Sequence, residues 1–178
     1  MYETPEELAN LQRLLDRSYE RAGGHLLGIH TPDRRLSAEQ LTERLRGMCL
    51  LTLATTTRDG RPLTGAVDGF FYRGAFWFGS APNSLRFRHI RERPSVSATY
   101  LPGEQLGVTV HGAAHPVDLA LPEHAGFRDY CIEFYGDAWN DWGVDSAEPG
   151  AVYARIDATR MFTFHMDAEA ATEAESGG

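Results

Sequence analysis

Ser84-Leu85-Arg86, with Arg88 two residues on, opens a short helical stretch that Ser84 is placed to cap and Pro94 to end. A helix start presents free backbone N–H groups and the positive end of the helix dipole, so it favours an anion. An arginine there adds a fork of donors matched to phosphate oxygens. These residue types in this order point to a phosphorylated ligand. Arg86, Arg88, Arg91 and Arg93 together also fit a solvated helix face. Arg86 stands apart because it directly follows the cap, whereas Arg91 and Arg93 read as surface or interface residues.

The elements that must position this helix precede it. Residues 48–57, 62–72 and 75–80 read as strands, with apolar and small residues alternating as a sheet with one packed face requires. Arg58-Asp59-Gly60 and Arg73-Gly74 supply tight hairpin turns between them. The third strand ends in Gly79-Ser80, and the helix spans about 84–92. Residues 95–101 form the next strand, Pro102-Gly103 a turn, and 106–119 a long strand that Gly107, Gly112 and Pro116 bend or bulge. A helix over 122–135, a loop with Trp139 and Trp142, and strands at 152–156 and 161–165 follow.

At the other end, Thr4-Pro5-Glu6-Glu7 is a helix start with a capping box, and Leu8, Leu11, Leu15 and Tyr19 recur at helical spacing until Gly23-Gly24. A second helix starts at Ser37, with Gln40 as its capping partner, and Gly47 stops it. Residues 1–47 are thus a helical segment that packs on a β-domain of residues 48–166. Residues 167–178 are an acidic, alanine-rich tail expected to be flexible.

With 178 residues, 42% of them hydrophobic, the chain is long enough for one domain with its own core. The formal net charge of −8 argues against general nucleic-acid binding, which needs a basic surface. All 17 basic residues are arginine, a compositional trait of GC-rich coding. No apolar run is long enough to span a membrane, and the acidic start MYETPEELANLQ has no secretory pattern, so a reduced cytoplasm is the expected setting.

Cys49 and Cys131 read as buried small residues. No zinc-type Cys/His pattern occurs; His111 and His115 are spaced too far apart on a strand for easy chelation, and His25 and His30 fall in a glycine-rich loop. No metal site is expected. No nucleophile–histidine–acid arrangement is legible, so the catalytic residues remain unassigned. Trp139 and Trp142 read as packing residues, with a lid over a bound ligand as the alternative.

The ordered combination LLTLATTTRDGRPLTGAVDGFFYRGAFWFGSAPNSLRFRHIRERPSVSATY, then GVTVHGAAHPV, with a weaker match in VYARIDATRMFTFH, resembles the pyridoxamine 5′-phosphate oxidase-like split-barrel superfamily. Its members bind flavin nucleotides or a deazaflavin coenzyme. The resemblance implies a mainly β protein, a six-stranded antiparallel split β-barrel with flanking helices, assembled as a homodimer with two cofactor sites at the subunit interface. It implies FMN as cofactor, a deazaflavin coenzyme as the alternative, and haem as a further one. Leu63, Thr64, Val67 and Asp68 would lie beside the ring or ribityl chain, and Phe78, Gly79 and Ser80 under the cofactor. Ser84, Leu85 and Arg86 would hold its phosphate, and Gly107 and Thr109 would reach the ring edge.

Two departures from the vitamin-forming oxidase stand out. Asp68 occupies a position where that enzyme carries a basic residue, and its C-terminal arginine-rich substrate motif is missing. An acid beside the ring repels an anionic substrate, so the chain is not expected to be a true pyridoxamine phosphate oxidase. The function implied is a flavin- or deazaflavin-dependent oxidoreductase acting on a small molecule; the alternative is a non-catalytic flavin or haem carrier.

Overall fold

The computed structural model describes residues 2–142 and 150–166, so the expected tail and the loop after Trp142 lie outside the described residues. Six antiparallel strands close into a barrel in the order β1-β2-β3-β6-β5-β4. They are β1 (Met48–Thr56), β2 (Pro62–Tyr72), β3 (Ala75–Ser80), β4 (Ser95–Gly103), β5 (Leu106–Val117) and β6 (Val152–His165). The expected antiparallel barrel with flanking helices is the observed fold.

Helix α1 (Pro5–Glu20) starts with the expected box, Thr4 accepting from the Glu7 N–H and the Glu7 carboxylate accepting from the Thr4 N–H. It lies on β6. The Tyr19 hydroxyl donates to the Thr163 carbonyl at 2.7 Å and accepts from the Thr163 N–H, and the Ser18 hydroxyl accepts from the Met161 N–H. Helix α1 ends at Glu20, just ahead of the expected stop at Gly23-Gly24, but a short helix, α2 (Gly24–Ile29), follows in place of the expected loop, so His25 is helical and His30 caps its end. Glycine at a helix start costs little, which is why its loop signal misleads. Helix α3 (Ala38–Arg44) carries the Ser37–Gln40 box.

The β2–β3 turn takes positive φ at both Arg73 (49°) and Gly74 (76°), as the tightest hairpin turns require. Arg73 is then tied to Glu7 of α1 by an ion pair. Strand β4 runs through Pro102-Gly103 with an irregular register, and the turn falls one step later, at Glu104-Gln105. The two C-terminal strands expected from the sequence are one strand. Between His111 paired with Arg160 and Gly112 paired with Ala158, the register shifts and leaves Thr159 as the extra residue of a bulge. Gly112 is required there, because a Cβ would collide with the Asp157 carbonyl oxygen.

Two apolar cores result. Leu51, Leu53, Val67, Phe78, Val108 and Val110 fill the barrel. A second, aromatic core forms outside it, where α5 (Ala125–Tyr135) and the turn into α6 (Trp139–Trp142) cover Phe70, Tyr72 and Trp77, with Trp77 stacked on Phe127 at 4.3 Å. Trp139 is 3% exposed and stacks on Tyr135 and Tyr153, so it is a packing residue.

Candidate functional site

Helix α4 (Leu85–Glu92) plugs one end of the barrel. Ser84 caps it, its hydroxyl accepting from the Phe87 N–H at 3.4 Å, which leaves the Leu85 and Arg86 N–H groups at the helix start. Phe87 and Ile90 enter the barrel core, with Phe87 against Phe78. The buried His89 Nδ1 lies 2.9 Å from the buried Thr55 hydroxyl.

The four arginines separate by what they touch. Arg91 donates to the Pro82 carbonyl at 3.2 Å, and Arg93 donates to the Thr56 carbonyl at 2.9 Å, so both hold main chain around the helix. Arg88 is exposed. Arg86 forms no ion pair among the described residues, and its Nη2 lies so near β2 that a Cβ built on Gly65 would stand 3.3 Å away. A half-buried guanidinium against a glycine, with no ion-pair partner among the described residues, leaves room for an anion.

The strand that faces Arg86 is open on one side. Pairing of β2 with β1 runs from Pro62 to Phe70, whereas pairing with β3 begins only at Gly69. Among the described residues, 62–68 of β2 therefore have no backbone partner on the β3 side, which makes that edge a ready template for a ligand. Arg86 is brought to β2 at Gly65, next in sequence to Thr64 and Leu63; Ser84 and Leu85 stand at the start of the same helix, and Ser80 ends β3. Asp68 lies four residues beyond Thr64, about 13 Å along the strand at strand rise. The split thus has the reach for an extended ligand held by its anionic end.

Side chains in register share a face, so the outward surface can be read across the ladder. Thr52 pairs with Ala66 and Thr99, Thr99 with Thr109, Ala54 with Thr64 and Ser97, Ser97 with His111, and Leu50 with Asp68. The Thr99 and Thr109 hydroxyls are 3.1 Å apart, and Ser97 Oγ is 2.7 Å from His111 Nδ1. Burial, and then the Arg160 charge, hold His111 below the ordinary histidine pKa and keep it neutral. Burial, and then the Asp68 charge, raise the Tyr135 phenol.

The remaining sequence-derived residues are placed differently. Val67 and Phe78 are buried in the barrel core; Phe78 is paired with both Gly69 and Ala154, so of the two only Val67 has its main chain on the open edge of β2. Gly79 makes room for the Tyr153 ring, since a Cβ there would lie 2.9 Å from it. Gly107 pairs with Phe164 on the far side of β1 and β4 from the split, so within one chain it does not meet Arg86. Trp142 has no described side chain, and its lid reading lies outside the described residues. The sequence reading missed the hydroxyls of Thr52, Ser97 and Thr99. Their signal was present as polar residues alternating with Leu51, Leu53, Val96 and Ala98.

A six-stranded antiparallel barrel of this topology, split beside an arginine-bearing helix, defines the split-barrel class. The chain belongs to the pyridoxamine 5′-phosphate oxidase family, whose model matches residues 37–168. No curated protein matches the chain significantly. Among solved structures, a conserved hypothetical protein of Mycobacterium tuberculosis is similar at 24% identity and TM-score 0.62, over 75% of this chain and 88% of that one. The haem storage protein HutZ of Vibrio cholerae gives 16% identity and TM-score 0.58, over 74% and 94%. An FAD-binding protein of Mesorhizobium loti gives 21% identity and TM-score 0.56, over 75% and 98%. At these identities the likeness is one of fold. No described helix is long and apolar enough to cross a membrane.

Proposed function

We propose that this protein is an oxidoreductase that holds FMN, or alternatively a deazaflavin coenzyme, in the split of its barrel and acts on a small molecule as a homodimer. The observation that carries the reading is Arg86, without an acidic partner among the described residues and lying against Gly65 at the edge of β2 that is not paired with β3. Arg86 and the N–H groups at the start of α4 bind the phosphate. The open edge of β2 from Leu63 to Asp68 aligns the rest of the ligand by main-chain hydrogen bonds. When bound, the cofactor supplies hydride transfer, which needs no protein nucleophile. Asp68 sets the sign of the field at the far end of the split and disfavours anionic substrates. A second copy, seated on the outward face of β1, β2, β4 and β5, brings its own Gly107 and hydroxyl ladder toward the exposed side of the ligand.

A second reading, a non-catalytic flavin or haem carrier, draws on His111. Its Nδ1 is fixed by Ser97, its ring is neutral, and its Nε2 makes no hydrogen bond to another described residue, which suits an imidazole ligand to iron. The test is the absorption spectrum of the purified protein, with the released chromophore weighed by mass spectrometry and the reduced form challenged with candidate acceptors. A flavin or deazaflavin that is reoxidised by a small molecule supports the oxidoreductase; a haem spectrum, or a flavin that no acceptor turns over, supports the carrier.

A further inference from the structure

We propose that His89, locked to Thr55, is the positioning residue that sets Arg86 against the open edge of β2 and so controls phosphate recognition. The inference rests on the phosphate reading of the split. Helix α4 has eight residues, too few to be stable alone, so its placement comes from tertiary contacts. Two of these, Phe87 and Ile90, are apolar, and apolar burial has no direction: it holds the helix in the barrel mouth without fixing its rotation or slide. The His89–Thr55 hydrogen bond does have direction. Both residues are buried, at 6% and 5% exposure, where a hydrogen bond is strengthened and its loss costly.

The bond ends at the strand pair that matters. Thr55 is in register with Leu63, and Leu53 with Gly65, so Thr55 sits two residues along the ladder from the glycine beneath Arg86, on the same face. Arg86 and His89 are three residues apart and so neighbours on the helix surface. One directed contact therefore refers the guanidinium to Gly65. Arg93, bonded to the Thr56 carbonyl, fixes the far end of the helix and leaves this function to His89.

The test compares FMN with riboflavin, which lacks the phosphate, by quenching of flavin fluorescence. Thr55→Val removes the hydroxyl at nearly constant shape, His89→Leu is the second variant, and Thr55→Ser keeps the hydroxyl; thermal unfolding checks that each is folded. The expected result is a roughly three- to tenfold loss of FMN affinity in Thr55→Val and His89→Leu. Riboflavin affinity stays within about twofold of the native value, Thr55→Ser binds as the native chain does, and no further loss occurs in an Arg86→Ala background. Equal losses for FMN and riboflavin, or an undiminished loss in the Arg86→Ala background, overturn the positioning role and leave the phosphate reading standing. A native chain that binds FMN no better than riboflavin overturns the phosphate reading, and the positioning role with it.

Discussion

Nη2 of Arg86 lies where a methyl group on Gly65 would stand 3.3 Å from it, so the smallest residue on the open edge of β2 faces the one arginine of α4 suited to hold an anion. Arg86→Ala removes a charge-assisted contact of about 1.5–3 kcal/mol, a roughly ten- to hundredfold loss of FMN affinity. Arg88→Ala, on the same helix but exposed, should change affinity little. Titration of flavin fluorescence decides: equal losses in both variants reduce the helix to a general positive charge.

Gly65→Ala tests the other partner of that contact. Gly65 does not have positive φ, so alanine fits the backbone, and the arginine must give way by a few tenths of an ångström. The expected outcome is weaker FMN binding with an unfolding temperature close to native. Unchanged FMN affinity would place the phosphate elsewhere.

Gly112→Ala should fail for a different reason. Its Cβ meets the main chain of Asp157 and Ala158 at the bulge, which cannot swing aside as a side chain can. Forcing a methyl group into packed surroundings costs about 1–3 kcal/mol, and more against backbone. Denaturant unfolding should show a lower midpoint. Native stability in this variant would mean that the bulge sits elsewhere along the β5–β6 ladder.

The barrel was legible because its signals are local: Asp59-Gly60 and Arg73-Gly74 name their turns, and Leu51, Leu53 and Val67 alternate with small or polar residues such as Thr52, Ala54, Ala66 and Asp68. The phosphate end was legible for the same reason, since Ser84 and Arg86 are two residues apart on one helix. What the sequence hid depends on pairing. Nothing local says that β2 goes unpaired from 62 to 68, that Arg86 falls on Gly65, or that Gly79 serves Tyr153. Nor does a single strand reveal that Ser97 meets His111, because the two are joined only by the β4–β5 register.

Burial pushes the Cys49 and Cys131 thiols up to about 12, and raises the Tyr130, Tyr135 and Tyr153 phenols as well. Unfolded thiols titrate near about 8.5, so the folded state binds these protons more tightly. The stability this contributes is fully present below that value and is lost as pH rises toward 12. Denaturation midpoints should fall between pH 8 and pH 10, and a thiol reagent at pH 8 should label neither cysteine until the chain unfolds. Rapid labelling of the folded protein would contradict the buried placement.

Leu50 and Leu101 are 57% and 66% exposed, and stand one ladder step beyond the Leu51–Tyr100 pair on the outward face of the barrel. Exposed leucines beside the hydroxyl ladder suit a two-fold interface, in which each copy meets the same patch of the other. Sedimentation velocity at micromolar concentration should give a dimer for the native chain and a monomer for Leu50→Arg. A native monomer removes the partner subunit from the proposed site.

Asp68 faces outward beside Leu50, at the end of the split away from Arg86. Its carboxylate opposes a second phosphate at that end, and the whole chain carries a net charge of −8. The cofactor-loaded protein is therefore expected to leave pyridoxamine and pyridoxine phosphates unoxidised. Asp68→Asn, which removes the charge at constant shape, should bind such anions better without becoming the vitamin-forming enzyme, because no arginine-rich substrate segment is supplied with it. Production of peroxide and pyridoxal phosphate under saturating cofactor is the assay. Turnover by the native chain near about one per second, within the ordinary enzyme range, would mean that the acid does not face the substrate.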